Sequence, residues 1–145
     1  MSRKSDDPLL VFQAKLRINK EDLDEELSEF PSMFYTVSDH YLEAHRRVKR
    51  LQERMDRRFA TLASALRGAA HDAGVHTTET QLKQEVLIHP DYRKIKARLS
   101  DAVYVQDRWA ALKDAMVQKS FSIKGLVTLA NDEKYQSDSR RGRGK

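Results

Sequence analysis

The chain has 145 residues, of which 39% are hydrophobic and 34% charged, with a mean hydropathy of −0.73 and a net charge of +5. So little apolar material argues against a broad globular core and points to long helices that bury narrow stripes, which five Gly and three Pro leave room for. The absence of cysteine excludes disulfides, thiolate metal sites and a Cys nucleophile.

The opening MSRKSDDPLL lacks the apolar core of a signal peptide, and no apolar run approaches the ~20 residues of a membrane span, so a soluble, cytoplasmic protein is expected. Charge is segregated along the chain. Residues 1–45 carry 5 basic and 10 acidic side chains, whereas residues 46–58 carry 7 basic and 2 acidic. An acidic beginning followed by a basic belt suits a polyanionic partner better than uniform basicity does.

Residues 1–18 read as a loosely held arm, in which Leu9-Leu10-Val11-Phe12 and Leu16-Arg17-Ile18 either add as a strand or pack on a neighbour. Asn19 is the expected N-cap of a helix from Lys20 to Phe30 that holds six acidic residues, and Pro31 is expected to end it. Phe34, Val37, Tyr41, Ala44, Val48, Leu51 and Met55 then follow a strict a/d heptad seam. A stutter shifts the stripe to Phe59, Leu62 and Leu66, and Gly68 is expected to close this helix before a loop over 68–77. Thr78 and Gln81 have capping-box spacing for a short helix, and Pro90 suits the first position of another. Along that helix Tyr92, Ile95, Leu99, Ala102, Trp109, Leu112 and Met116 form a second seam, interrupted at Gln106. A break at Ser120 and a cap at Ser122 predict a last short helix that docks Phe121, Ile123 and Leu126 on a neighbouring subunit, with Lys119 and Lys124 facing outward.

The expected fold is therefore all-α, a long-helix hairpin with short flanking helices that assembles through its heptad seams into a homo-oligomer larger than a dimer. Its parts are an arm (1–18), a single helical oligomerising and binding unit (19–136) and a disordered basic tail (137–145). The oligomerisation residues are Phe34, Val37, Tyr41, Val48, Leu51, Met55, Ile95, Leu99, Trp109, Leu112, Met116, Phe121 and Ile123.

Catalytic constellations are not apparent. His40/His45 and His71/His76 are each five apart, whereas metal pairs on one helix face want three or four, and the carboxylates at 21–29 lie in a solvated run. No enzyme activity, metal or cofactor is expected. The belt Arg46, Arg47, Lys49, Arg50, Arg54, Arg57 and Arg58 is the feature with chemical content, since most of it faces away from the seam and forms a track for backbone phosphates. The alternative is a solvated face on a coiled-coil scaffold without nucleic-acid binding, its arginines pairing with acids of the next subunit. Lys119, Lys124, Arg140, Arg141 and Arg143 are secondary nucleic-acid candidates. Stacking platforms for bases would have to come from Phe59, Tyr92, Tyr104, Trp109 or Phe121.

The acidic opening LRINKEDLDEEL (16–27), the long helix and Gly-bearing loop after it, and above all LKDAMVQKSFSIKGL (112–126) within 85–129 resemble the UvsY-type recombination mediators of T-even phages. The similarity spans roughly residues 16–135, and the tract at 112–126 resembles the family's closing helix and lysine-bearing turn. The resemblance implies a phage protein acting in a bacterial host in DNA recombination and repair. Such a protein forms a ring-like homo-oligomer, binds single-stranded DNA and helps load a RecA-like recombinase in place of a single-strand-binding protein. It also implies DNA contacts toward the end of the long first helix, where Arg54, Arg57 and Arg58 stand. KARL (96–99) echoes the family's basic motif but lies in the second long helix, so Lys96 and Arg98 are set aside.

Overall fold

A computed structural model describes the backbone of residues 7–142 and the side chains of 7–137. Four helices account for most of it, with no strand among the described residues: α1 (Pro8–Ala14), α2 (Leu23–Asp72), α3 (Glu79–Ile88) and α4 (Pro90–Gly142). The chain divides into two compact units. A central unit comprises Leu42–Asp107, and a terminal unit combines residues up to Tyr41 with those from Arg108 onward, so that α2 and α4 each contribute to both.

Helix ends follow local chemistry. Thr78 Oγ1 accepts from the Gln81 backbone N–H while Gln81 Oε1 accepts from the Thr78 backbone N–H, which is the expected capping box, and Pro90 opens α4. Helix α2 does not stop at Gly68. It stops one turn later, where Gly74 takes φ +67°. There the Gly74 N–H donates to His71 O and the Val75 N–H to Ala70 O, a Schellman pattern that needs the left-handed residue glycine supplies. Gly68 has open space around it and no such conformation, so it is carried inside the helix.

Several expected breaks are absent. Pro31 lies within α2, which begins at Leu23 after Asp22 Oδ1 accepts from the Glu25 N–H; Asn19 instead receives the N–H of Glu21. A helix-interior proline costs about 3 kcal/mol, and helix persists because tertiary packing grips both sides of it. Glu26 is anchored before Pro31, and Met33 and Val37 are buried after it. Likewise Ser120 and Ser122 do not interrupt α4, because their hydroxyls donate back to the Val117 and Gln118 carbonyls. Helix also continues from Ser137 through Gly142, where a disordered tail was expected, for no proline interrupts this stretch; residues 143–145 lie outside the described residues.

In the terminal unit, residues 8–14 are a helix rather than a strand or free arm. Asp7 Oδ1 caps the Leu9 N–H, Pro8 fits the first turn, and Leu9 is buried. Phe12 meets His40 and Trp109 edge-on, and those two rings stack at 4.5 Å. Glu26 meets Lys119 while His40 meets Trp109, so the α2 and α4 segments run antiparallel here. Val37, Met116 and Ile123, on these two helices, are fully buried, and Leu112 and Trp109 nearly so.

Lys119 lies in this seam instead of facing outward, and only 5% of it is exposed. Its ammonium pairs with Glu26 at 2.6 Å and donates to the carbonyl oxygens of Lys15 at 2.7 Å and Arg17 at 3.2 Å. Three acceptors satisfy its three donors, the condition under which a buried ammonium is tolerated. Glu26 also accepts the Asn19 N–H at 2.7 Å, so the pair pins the turn between α1 and α2. Burial disfavours the charged Glu26 carboxylate, but the Lys119 and Asn19 hydrogen bonds and the Lys119 charge together hold its pKa below the ordinary glutamate value. A depressed carboxylate pKa contributes stability above the unfolded value, and that contribution is lost as pH falls through the folded one.

In the central unit Leu62, Ala63, Leu82, Val86 and Tyr92 form the core, with Met55, Phe59 and Leu66 packed against it. Phe59 meets Tyr92 at 6.0 Å, edge to face. Arg67 ties the end of α2 to the start of α3 through a bidentate pair with Glu79 (Nε–Oε1 3.1 Å, Nη2–Oε2 2.8 Å).

Lys119→Ala should destabilise the protein by about 3 kcal/mol, since it strands a partly desolvated carboxylate. In urea melts monitored by circular dichroism, Lys119→Met combined with Glu26→Gln should recover much of that loss.

Candidate polyanion-binding cleft

The basic belt lies wholly on the central unit's part of α2. Arg46, Arg47, Lys49, Arg50, Arg54 and Arg57 are exposed, and Arg58 is half-buried. Arg58 falls at a seam position, and the stutter that moves the stripe to Phe59 leaves its guanidinium at the edge of the core. There it pairs with Asp91 in the first turn of α4.

That pairing marks the rim of a cleft of about 420 Å³ between α2 and α4. Its α2 wall is Arg54, Arg57, Arg58 and Thr61, and its α4 wall is Asp91, Lys94, Ile95 and Arg98. Five cations thus surround it against one acid. Phe59 meets Tyr92 and Arg58 meets Asp91, so α4 packs on α2 beside the cleft. On α4, Lys94 and Arg98 are four residues apart and share one face, with Asp91 three residues before Lys94.

The belt therefore divides. Arg54, Arg57 and Arg58 meet a second basic wall, whereas Arg46, Arg47, Lys49 and Arg50 do not line the cleft. Arg98, set aside on the sequence, belongs to it, and so does Lys94. The signal that could have found them is the i, i+4 pair itself, once α4 is folded back on α2 in register. Lys96 does not line the cleft.

The remaining candidates sit elsewhere. Lys119 is buried and engaged, so it offers nothing to an external ligand; Lys124 is exposed, its ammonium 6.0 Å from the Phe121 ring centre. The side chains of Arg140 and Arg141, and all of Arg143, lie outside the described residues. Of the candidate stacking rings, Trp109 and Tyr92 are buried and Phe59 is packed on Tyr92, leaving Tyr104 and Phe121 exposed. Among the seam residues assigned to oligomerisation, Val37, Val48, Trp109, Leu112, Met116 and Ile123 are buried within the chain. Phe34, Tyr41, Leu51, Met55, Ile95 and Leu99 are half-buried, and Phe121 is 61% exposed.

Asp91 is held below the ordinary carboxylate value, first by the Arg58 hydrogen bond and then by its charge, so it stays ionised at neutral pH. Among the described residues no group of three His, Asp or Glu side chains is placed to hold a metal ion, and no helix is long and apolar enough to cross a membrane. No protein-family model, curated protein or solved structure matches the chain.

Asp91→Asn removes the cleft's sole acid and releases Arg58. The variant should elute from immobilised heparin at higher salt than the parent; earlier elution would mean that Asp91 organises the cleft rather than opposing a bound anion.

Proposed function

We propose that this protein binds single-stranded DNA along the α2–α4 cleft and acts as a recombination mediator, a homo-oligomer that assists loading of a RecA-like recombinase against a single-strand-binding protein. The observation that carries the DNA-binding part is the cleft, where five cations from two helices face one acid. Like charges gathered at one place repel, and a polyanion relieves that repulsion while releasing its own condensed counterions.

The mediator role rests on the resemblance of residues 16–27 and 112–126 alone. The latter tract departs from the expected pattern, since it is continuous helix without a turn and its Lys119 is buried, while Lys124 is exposed. Assembly draws support from apolar side chains that the units leave uncovered. On α4 of the terminal unit Phe121, Leu129 and Tyr135 are 61%, 61% and 76% exposed, and on α3 Ile88 is 70% exposed. The half-buried seam residues, with Phe121, would contribute at their edges.

Two measurements separate this reading from a scaffold without nucleic-acid binding. Replacing Arg54, Arg57, Lys94 and Arg98 together by Ala should weaken binding to a poly-T strand at least tenfold at moderate salt. It should also flatten the salt dependence by about 0.7 in log–log slope for each phosphate that is no longer neutralised. Unchanged binding would leave the cleft a solvated face and favour the scaffold. Separately, Phe121→Asp should lower the oligomeric state in sedimentation velocity without unfolding the chain, because the side chain is exposed within its own unit.

A further inference from the structure

We infer that the cleft takes the sugar–phosphate backbone alone and leaves the bases of a bound strand facing solvent. The inference rests on the nucleic-acid reading above and specifies what in the strand is recognised.

The chemistry of the lining is one-sided. Arginine and lysine offer donors and no acceptor, which matches phosphate oxygens, whereas base edges present donors and acceptors together. The hydroxyl of Thr61 already donates to the Arg57 carbonyl at 2.9 Å. Asp91, the one acceptor of consequence, is engaged by Arg58. The apolar member, Ile95, is half-buried and has no ring.

Stacking is missing as well. The aromatic side chains nearest in sequence to the cleft residues are Phe59 and Tyr92, which meet each other edge to face, and Tyr92 is only 8% exposed. Tyr104 is exposed but stands six residues beyond Arg98, which at 3.6 residues per turn carries it roughly 120° around α4 from that residue. A base entering the cleft would therefore be desolvated with no ring among the lining residues, and with only the Thr61 hydroxyl oxygen and the Arg58-bound Asp91 carboxylate as side-chain acceptors for its amino groups. Phosphates meet no such penalty. Arg54 with Arg58, and Lys94 with Arg98, are each spaced about 6 Å along their helix axes, giving a row of cations on either wall. Arginine planes can stack on bases, so substitution by lysine, which keeps the charge and loses the plane, tests that route.

The 145-residue chain is titrated by fluorescence anisotropy against three labelled strands of equal length: oligothymidylate, an abasic strand with the same phosphates, and a thymidine strand with uncharged methylphosphonate linkages. The abasic strand is expected to bind within about twofold of oligothymidylate, because phosphate contacts do not read bases. The methylphosphonate strand is expected not to bind, and a variant with Arg54→Lys, Arg57→Lys and Arg98→Lys should retain the parent's preference. Stacking contributes about 1–3 kcal/mol per base, so loss of about fivefold or more on the abasic strand, or on the lysine variant with oligothymidylate alone, would overturn the inference while leaving nucleic-acid binding in place. Failure of the parent to bind any of the three strands would overturn both.

Discussion

Each long helix of this protein has one narrow apolar stripe and little else to bury. With 39% hydrophobic residues, the stripes on α2 and α4 must face one another, or α1 and α3, to leave water. In the central unit α3 adds Leu82 and Val86 to the stripe that the stutter directs to Leu62, and Tyr92 at the start of α4 closes the core. The packing of α4 on α2 in this unit fixes which polar residues become neighbours. Once Phe59 meets Tyr92, residues 54–58 on one helix and 91–98 on the other flank the same groove. The cleft is a consequence of core register.

Its electrostatics run against stability. Five cations around one groove raise one another's energy, and the single ion pair between Arg58 and Asp91 is too exposed to offset much of that repulsion, with 39% and 49% of the side chains open to solvent. A surface arranged only for solubility would intersperse the two signs. A group of acids stands instead at the beginning of α2, where Asp24, Glu25 and Glu26 lie in the first turn and favour the positive end of the helix dipole.

The terminal unit solves a different problem. Its seam carries a lysine at a position where an apolar residue would be easier to bury, and the cost is met by complete satisfaction of the ammonium by Glu26 and two backbone carbonyls. Because those carbonyls belong to Lys15 and Arg17, the ion pair orders the turn that brings α1 onto the unit and lets Phe12 reach His40 and Trp109. Register and chain entry are set here by a polar contact, around which the apolar stripe is built.

Features that depend on neighbours a few residues away are legible along the chain. These are the all-helical class, the two apolar stripes and their stutter, the capping box at Thr78, the start of α4 at Pro90 and the segregation of charge. The helix at Pro8–Ala14 is not among them: its apolar run reads as an arm or strand, and the cap at Asp7 with Pro8 in the first turn is a local signal that this reading misses. Whether a local breaker breaks the helix depends on the fold around it. Pro31 stays in helix because packing grips both sides of it, and the stop falls at Gly74 instead of Gly68 because Gly74 is the residue that turns left-handed. The fold also decides the fate of individual charges. Lys119 and Arg98 both look like solvated cations on a helix; one is buried against an acid 93 positions earlier in the chain, and the other stands across a groove from Arg54. A side chain's environment is set by what folds against it, and composition and periodicity along one helix do not specify the partner's register.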